Sequence, residues 1–314
     1  MAITSATTTT AIAALTTLQS AALTTAELSV LTTVQLAAFE TEDLAALQTN
    51  GVRILSTVQM RALSTIQLSA LGTQQVAILS STVLRALSNA QIASLTTAHI
   101  AGMNTAQIAG LSTSNVSAFT SAQAAALETR DLVLFSTANL RALGTSQMAA
   151  LSTAQMVALS TAQAAALSTA TLAALTTTQL AAMEVADLAA VSTSSLHALS
   201  ATQIAVLSTV QVAALTTTQV VGLSTSQFAA LTTTQVVALS TRQAAGLSSS
   251  NMSALTTAQL VAMEVADLAV VGTTSLNGLS AAQIAALTTV QIASMGSSQL
   301  VGLGTTQKIG RAHV

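Results

Sequence analysis

Residues 208–239 read STVQVAAL, TTTQVVGL, STSQFAAL, TTTQVVAL: four versions of one eight-residue phrase. With Leu15 placed at position 8, every eighth residue from Leu15 to Leu303 is apolar, through 37 octads without a slip. Position 5 is apolar almost throughout (Ile12, Leu28, Val212, Phe228), with Ser20 as the polar exception. Position 7 is usually Ala or Gly, position 1 Ser or Thr, position 2 Thr and position 4 Gln. Positions 3 and 6 take almost anything, including Arg130 and Arg242 at position 3 and Arg53, Arg61, Arg85 and Arg141 at position 6. An unpaired guanidinium is costly to bury, so these two positions face water.

The phrase carries its own secondary structure. Ser or Thr followed three residues later by Gln is a capping box: the hydroxyl accepts from the backbone N–H three residues on, and the Gln side chain reaches back. Ala, Gln and Leu then favour a helix. One continuous helix fails, because eight residues at about 100° each rotate the apolar stripe by about 80° per octad. The expected fold is therefore all-α, a solenoid of very short capped helices over positions 2 to 8, one per octad. Helices this short do not stand alone; they persist by pressing positions 5 and 8 against neighbouring units, with small position 7 allowing close approach. Two octads per coil, with helices stacked about 8–10 Å apart, would give an elongated rod. The alternative is a β-solenoid, favoured by Thr, Val and Ile. Against it stand the many Ala residues, the scarcity of corner-forming Gly, Asn and Asp, and the opposite parity of positions 5 and 8.

The register divides the chain into a lead-in, residues 1–7, a continuous array, residues 8–307, and a non-repeating tail, residues 308–314. The tail ends Ile-Gly-Arg-Ala-His-Val, which ATC GGA AGA GCA CAC GTC would encode. That resembles read-through into a common sequencing-library adapter, and the expectation is that the tail is an artefact. The phrase MEVADLA recurs at 183–189 and 263–269, ten octads apart, a sign of growth by duplication.

Composition narrows the chemistry. Charged residues are 6% of the 314 and apolar residues 51%, with no Cys, Pro, Trp or Tyr. Without Cys there is no disulfide framework, thiolate metal site or Cys nucleophile. Ser, Thr and Gln break the apolar residues in nearly every octad, so no membrane span is expected. The start, MAITSATTTTAIAAL, lacks the pattern of a signal peptide. A formal charge of −2 and scattered arginines offer no basic stripe for nucleic acid. The only aromatics, four Phe, fall at positions 5 or 8, leaving no stacking platform.

Acids are paired at positions 1 and 4 in Glu40/Asp43, Glu128/Asp131, Glu184/Asp187 and Glu264/Asp267. A pair could bind Ca²⁺ or share a proton, yet Ca²⁺ wants six to eight oxygens. The simpler reading is that they complement the helix dipole and supply the position-4 acceptor. His99, His197 and His313 lie far apart and read as surface residues. No nucleophile or phosphate-loop motif appears, so the chain reads as non-enzymatic, without metal or cofactor. Thr fills position 2 in 28 of 37 octads. Aligned, residues such as Thr209, Thr217, Thr225, Thr233 and Thr241 would form a flat uncharged ladder similar to the ice-facing surfaces of ice-binding proteins. The competing reading is that Thr simply fills the first helical turn.

The phrases LSTAQMVAL (151–159) and LTTTQVVAL (231–239) resemble octapeptide-repeat regions of very long bacterial surface proteins, often labelled as adhesion or haem-utilisation proteins. The resemblance implies an extended extracellular spacer or adhesive scaffold, possible end-to-end self-association and an unidentified surface ligand; no haem-ligand arrangement is visible. The TxxQVVA start is also similar to DNA-reading repeat effectors of plant pathogens, but the unit length and missing positive charge argue against them. A peptide-binding solenoid groove is a third reading, one that exposed aromatic or charged anchors would favour.

Overall fold

Most octads start a short helix because a Ser or Thr caps its first turn. In the computed structural model, which describes residues 3–304, 37 short helices follow one another, one per octad, and no strand occurs among the described residues. The fold is an all-α solenoid. Helix Thr209–Ala214 is typical. The Ser208 hydroxyl accepts from the Gln211 N–H at 3.1 Å, and the Gln211 carboxamide oxygen accepts from the Ser208 N–H at 2.8 Å. Val212 N–H donates to the Ser208 carbonyl, and Leu215 N–H to the Val212 carbonyl.

Position 8 was expected to close the helix, but the helices stop at position 5, 6 or 7. Leu215 is already extended (φ −59°, ψ 142°), as is Thr216 at the next N-cap (φ −66°, ψ 155°). Two successive extended residues make the corner. No residue among those described has a positive φ, glycines included, so the corners need no Gly, Asn or Asp. Their scarcity in the sequence is thereby accounted for.

The described residues form two compact units, one ending at Ala158 and one beginning at Leu159. Inside each, helices pack three octads apart, for example Thr33–Ala37 on Thr57–Ala62 in the first and Thr209–Ala214 on Thr233–Val237 in the second. Side-chain hydrogen bonds reach four octads back, as from Gln59 to Leu28 and Leu31. A turn of the coil therefore takes between three and four octads, not two.

From Leu28 to Ile284 position 5 lies at the centre of the coil and is essentially inaccessible to water, and position 8 nearly so; in the last two octads Ile292 is half-buried and Leu300 exposed. Each such aliphatic side chain contributes roughly 1.5–3 kcal/mol by leaving water. All four Phe (Phe39, Phe119, Phe135, Phe228) are buried there. Positions 3 and 6 face outward, which leaves Val58, Ile66 and Val210 exposed at position 3. Glycine at position 7 marks a close approach. A methyl added at Gly222 would lie 2.4 Å from Thr193 Cγ2, and one at Gly246 2.3 Å from Thr217 Cγ2. These glycines thus sit on the methyl of a position-2 Thr three octads earlier, whereas the larger position-7 residues Ile54, Val206 and Val270 are exposed. Ser20, at position 5, is fully buried with its hydroxyl unpaired, a direct cost of the one polar residue in that column. The departure of residues 308–314 from the repeat lies outside the described residues.

Candidate functional site

The side chain that does most in this molecule is the position-4 Gln. Gln235 is 1% exposed. Its Oε1 accepts from the Thr232 N–H at 2.7 Å, which caps its own helix. Its Nε2 donates to the carbonyls of Ile204 at 3.0 Å and Leu207 at 2.7 Å, four octads earlier. These are the position-5 and position-8 carbonyls, which the end of a helix leaves short of partners. One carboxamide therefore caps the start of one helix and the end of another, with both its donor and acceptor sides used. Gln211, Gln227, Gln243, Gln283 and Gln291 repeat the arrangement in the second unit. Gln59, Gln75, Gln91, Gln107 and Gln123 repeat it in the first.

Position 4 accepts other donors in the same place. Asn139 Nδ2 donates to the Leu111 carbonyl at 3.1 Å, and Ser275 Oγ to the Leu247 carbonyl at 2.6 Å. His99 was expected at the surface and is instead 3% exposed, because it stands in for Gln. Its Nδ1 accepts from the Thr96 N–H at 3.2 Å, which assigns the proton to Nε2, 2.7 Å from the Leu71 carbonyl. Burial pushes its pKa below the ordinary 6.5, against the opposing pull of the Leu71 carbonyl. His197 is on the outside, with Nδ1 3.0 Å from the Gly222 carbonyl; His313 lies outside the described residues. Glu27, at position 4, accepts from the N–H groups of Thr24 and Ile3, which hold its carboxyl below the ordinary range.

The paired acids behave differently. Glu40, Glu128, Glu184 and Glu264 occupy N-cap positions without a side-chain cap bond. Asp43, Asp131, Asp187 and Asp267 are buried, and the Oδ2 atoms of Asp43, Asp131 and Asp267 have no hydrogen-bond partner. The expected capping box is not rebuilt in these octads. Burial raises the pKa of Asp131, opposed by Arg130 and assisted by Glu128. It likewise raises that of Asp267, opposed by a hydrogen bond from Thr241 and assisted by Glu264. Arg130 pairs with Glu128 at 2.6 Å on the surface. Among the described residues, no group of three or more His, Cys, Asp or Glu could hold a metal ion.

Thr209, Thr217, Thr225, Thr233 and Thr241 begin five consecutive helices. All are exposed except Thr217, which is half-buried. The coil brings together the helices of Thr209 and Thr233, and those of Thr217 and Thr241; consecutive ones follow each other around the turn. Two open depressions mark the surface, one of about 230 Å³ beside Leu15, Gln19 and Glu27, and one of about 330 Å³ among Thr216, Thr218, Ser240 and Arg242. Among the described residues, no helix is long and apolar enough to cross a membrane.

A family model described as the ALTTAQ repeat matches residues 36–73, 68–105, 100–129, 124–161, 180–217, 212–241 and 260–297, together more than half of the chain. Among curated proteins, none matches.

Proposed function

The chain belongs to the ALTTAQ repeat family, and from that premise we propose that it is a non-enzymatic structural array, serving as a spacer or adhesive scaffold in a surface or secreted bacterial protein. The observation that supports this reading is the Gln235 arrangement and its repeats, in which each position-4 carboxamide ties a helix to the one four octads earlier. Such an array draws its stability from many similar neighbour joints. The methyls of Thr193 and Thr217 lie under Gly222 and Gly246 of later helices, which favours a packing role for those two threonines over an ice-facing one.

Single-molecule extension tests the proposal. A spacer built of equal joints yields in small regular steps, each releasing about one coil turn, roughly 24–32 residues. Collapse of the whole chain in one event at low force would count against it. Thermal hysteresis measured on the same protein tests the ice-binding alternative; clear activity, abolished by Thr217→Lys with Thr241→Lys, would replace the scaffold reading.

A further inference from the structure

Position 4 holds a hydrogen-bond donor almost everywhere in the coil. Gln235, Asn139, Ser275 and His99 each direct a hydrogen, or a ring nitrogen, at the position-8 carbonyl 28 residues earlier. Asp267 occupies the same register position relative to Leu239, and Asp131 relative to Met103, but an ionised carboxylate has nothing to donate. Asp267 is 1% exposed and its Oδ2 has no partner. The Asn139 bond shows that a side chain of this length reaches the carbonyl.

We propose that Asp267 is a proton-operated latch: with a proton taken from solvent onto Oδ2 it donates to the Leu239 carbonyl and closes the joint between octads 264–271 and 232–239, and when that proton returns to water the joint opens. Asp131 stands in the same relation to octad 96–103. A bound cation would also neutralise the carboxylate, but Asp267 is 1% exposed and no group of three or more acids or histidines among the described residues could hold a metal ion, whereas a proton needs no space. The charged surroundings are sparse. Glu264 shares the octad; among the helices packed on it, Thr241–Ala245 carries Arg242, exposed, and Thr289–Ser294 carries no charge. Thr233–Val237 and Ser297–Gly302, the helices four octads away on either side, carry none. Desolvation, against a hydrogen bond from Thr241 and with a smaller push from Glu264, raises the Asp267 pKa above 3.8. A carboxyl raised on folding stabilises the fold fully below its unfolded value, and that contribution is lost as pH rises through the folded value. Acid therefore tightens this joint and neutral pH loosens it.

Backbone hydrogen exchange on the full chain, expressed as protection factors at pH about 3 and about 7, tests the latch. Octads 232–239 and 264–271 should lose about tenfold in protection between acid and neutral pH, while octad 280–287, joined through Gln283, does not change. Asp267→Asn should hold the high protection at both pH values, and Asp267→Ala the low protection at both. Equal protection of the wild-type joint at the two pH values, or no gain from Asp267→Asn at neutral pH, would overturn the proposal.

Discussion

Octads 232–239 and 264–271 lie in the same unit and have the same backbone, yet they are joined to the coil differently. In the first, TTTQVVAL, Gln235 makes one bond to its own N-cap and three to carbonyls four octads earlier. In the second, EVADLAVV, Asp267 leaves one oxygen buried without a partner, and Glu264 makes no cap bond. Both helices nevertheless form, from Thr233 to Val237 and from Val265 to Val270. The comparison separates two roles that the repeat combines. Apolar positions 5 and 8 set the fold; the position-4 amide sets how firmly one turn holds the next.

The comparison can be forced by writing one octad into the other. Gln235→Asp removes the carboxamide and buries a charge facing two carbonyls. It is expected to cost about 3–5 kcal/mol at neutral pH, measured by denaturant unfolding, with part of the loss recovered in acid. A milder change shows what the octads share. Leu260→Ala, beside Gln259, and Leu268→Ala, beside Asp267, both empty fully buried position-5 sites. Each should cost about 2–5 kcal/mol, and the two should agree to within about 1 kcal/mol. A much smaller cost at Leu268 would mean that the acidic octads are loosely packed as well as poorly joined.

His99 sharpens the contrast, because it titrates in the opposite direction to Asp267. Its folded pKa is lowered below 6.5, so the neutral ring's contribution is complete above the unfolded value and is lost as pH falls through the folded value. Thermal unfolding near pH 7 and near pH 5 should show the wild type losing stability in acid by more than His99→Gln does. An identical pH response in the two proteins would remove His99 from the set of joint-forming residues.

Much of this was legible in the sequence. The period of eight, the apolar columns at positions 5 and 8, the helix start at position 2 and the outward positions 3 and 6 all follow from side-chain chemistry within one octad. The small residue at position 7 was also read as a requirement for close approach, and the Gly246–Thr217 spacing shows that approach where the residue is glycine. What could not be read was anything that depends on the number of octads per turn. The partners of Gln235 lie 28 and 31 residues away, and no local pattern encodes that interval. For the same reason His99 looked like a surface residue. One signal was present: a capping box is served by Glu as well as by Gln, so the strong preference for Gln at position 4 called for a use of its amide hydrogens. The acids misled in the complementary way, because position 4 was read only as an acceptor and its donor role was invisible.

The measurement that bears most directly on the central claim is the stability of Gln235→Met, which keeps the length and apolar stem of the side chain and removes its hydrogen bonds. The Thr232 N–H and the Leu207 carbonyl would then lose the Gln235 partner, and the Ile204 carbonyl would keep only the Leu207 N–H. A loss of at least about 2 kcal/mol in denaturant unfolding is predicted. Stability equal to that of the wild type would contradict the account, since the turns would then be held by apolar packing alone.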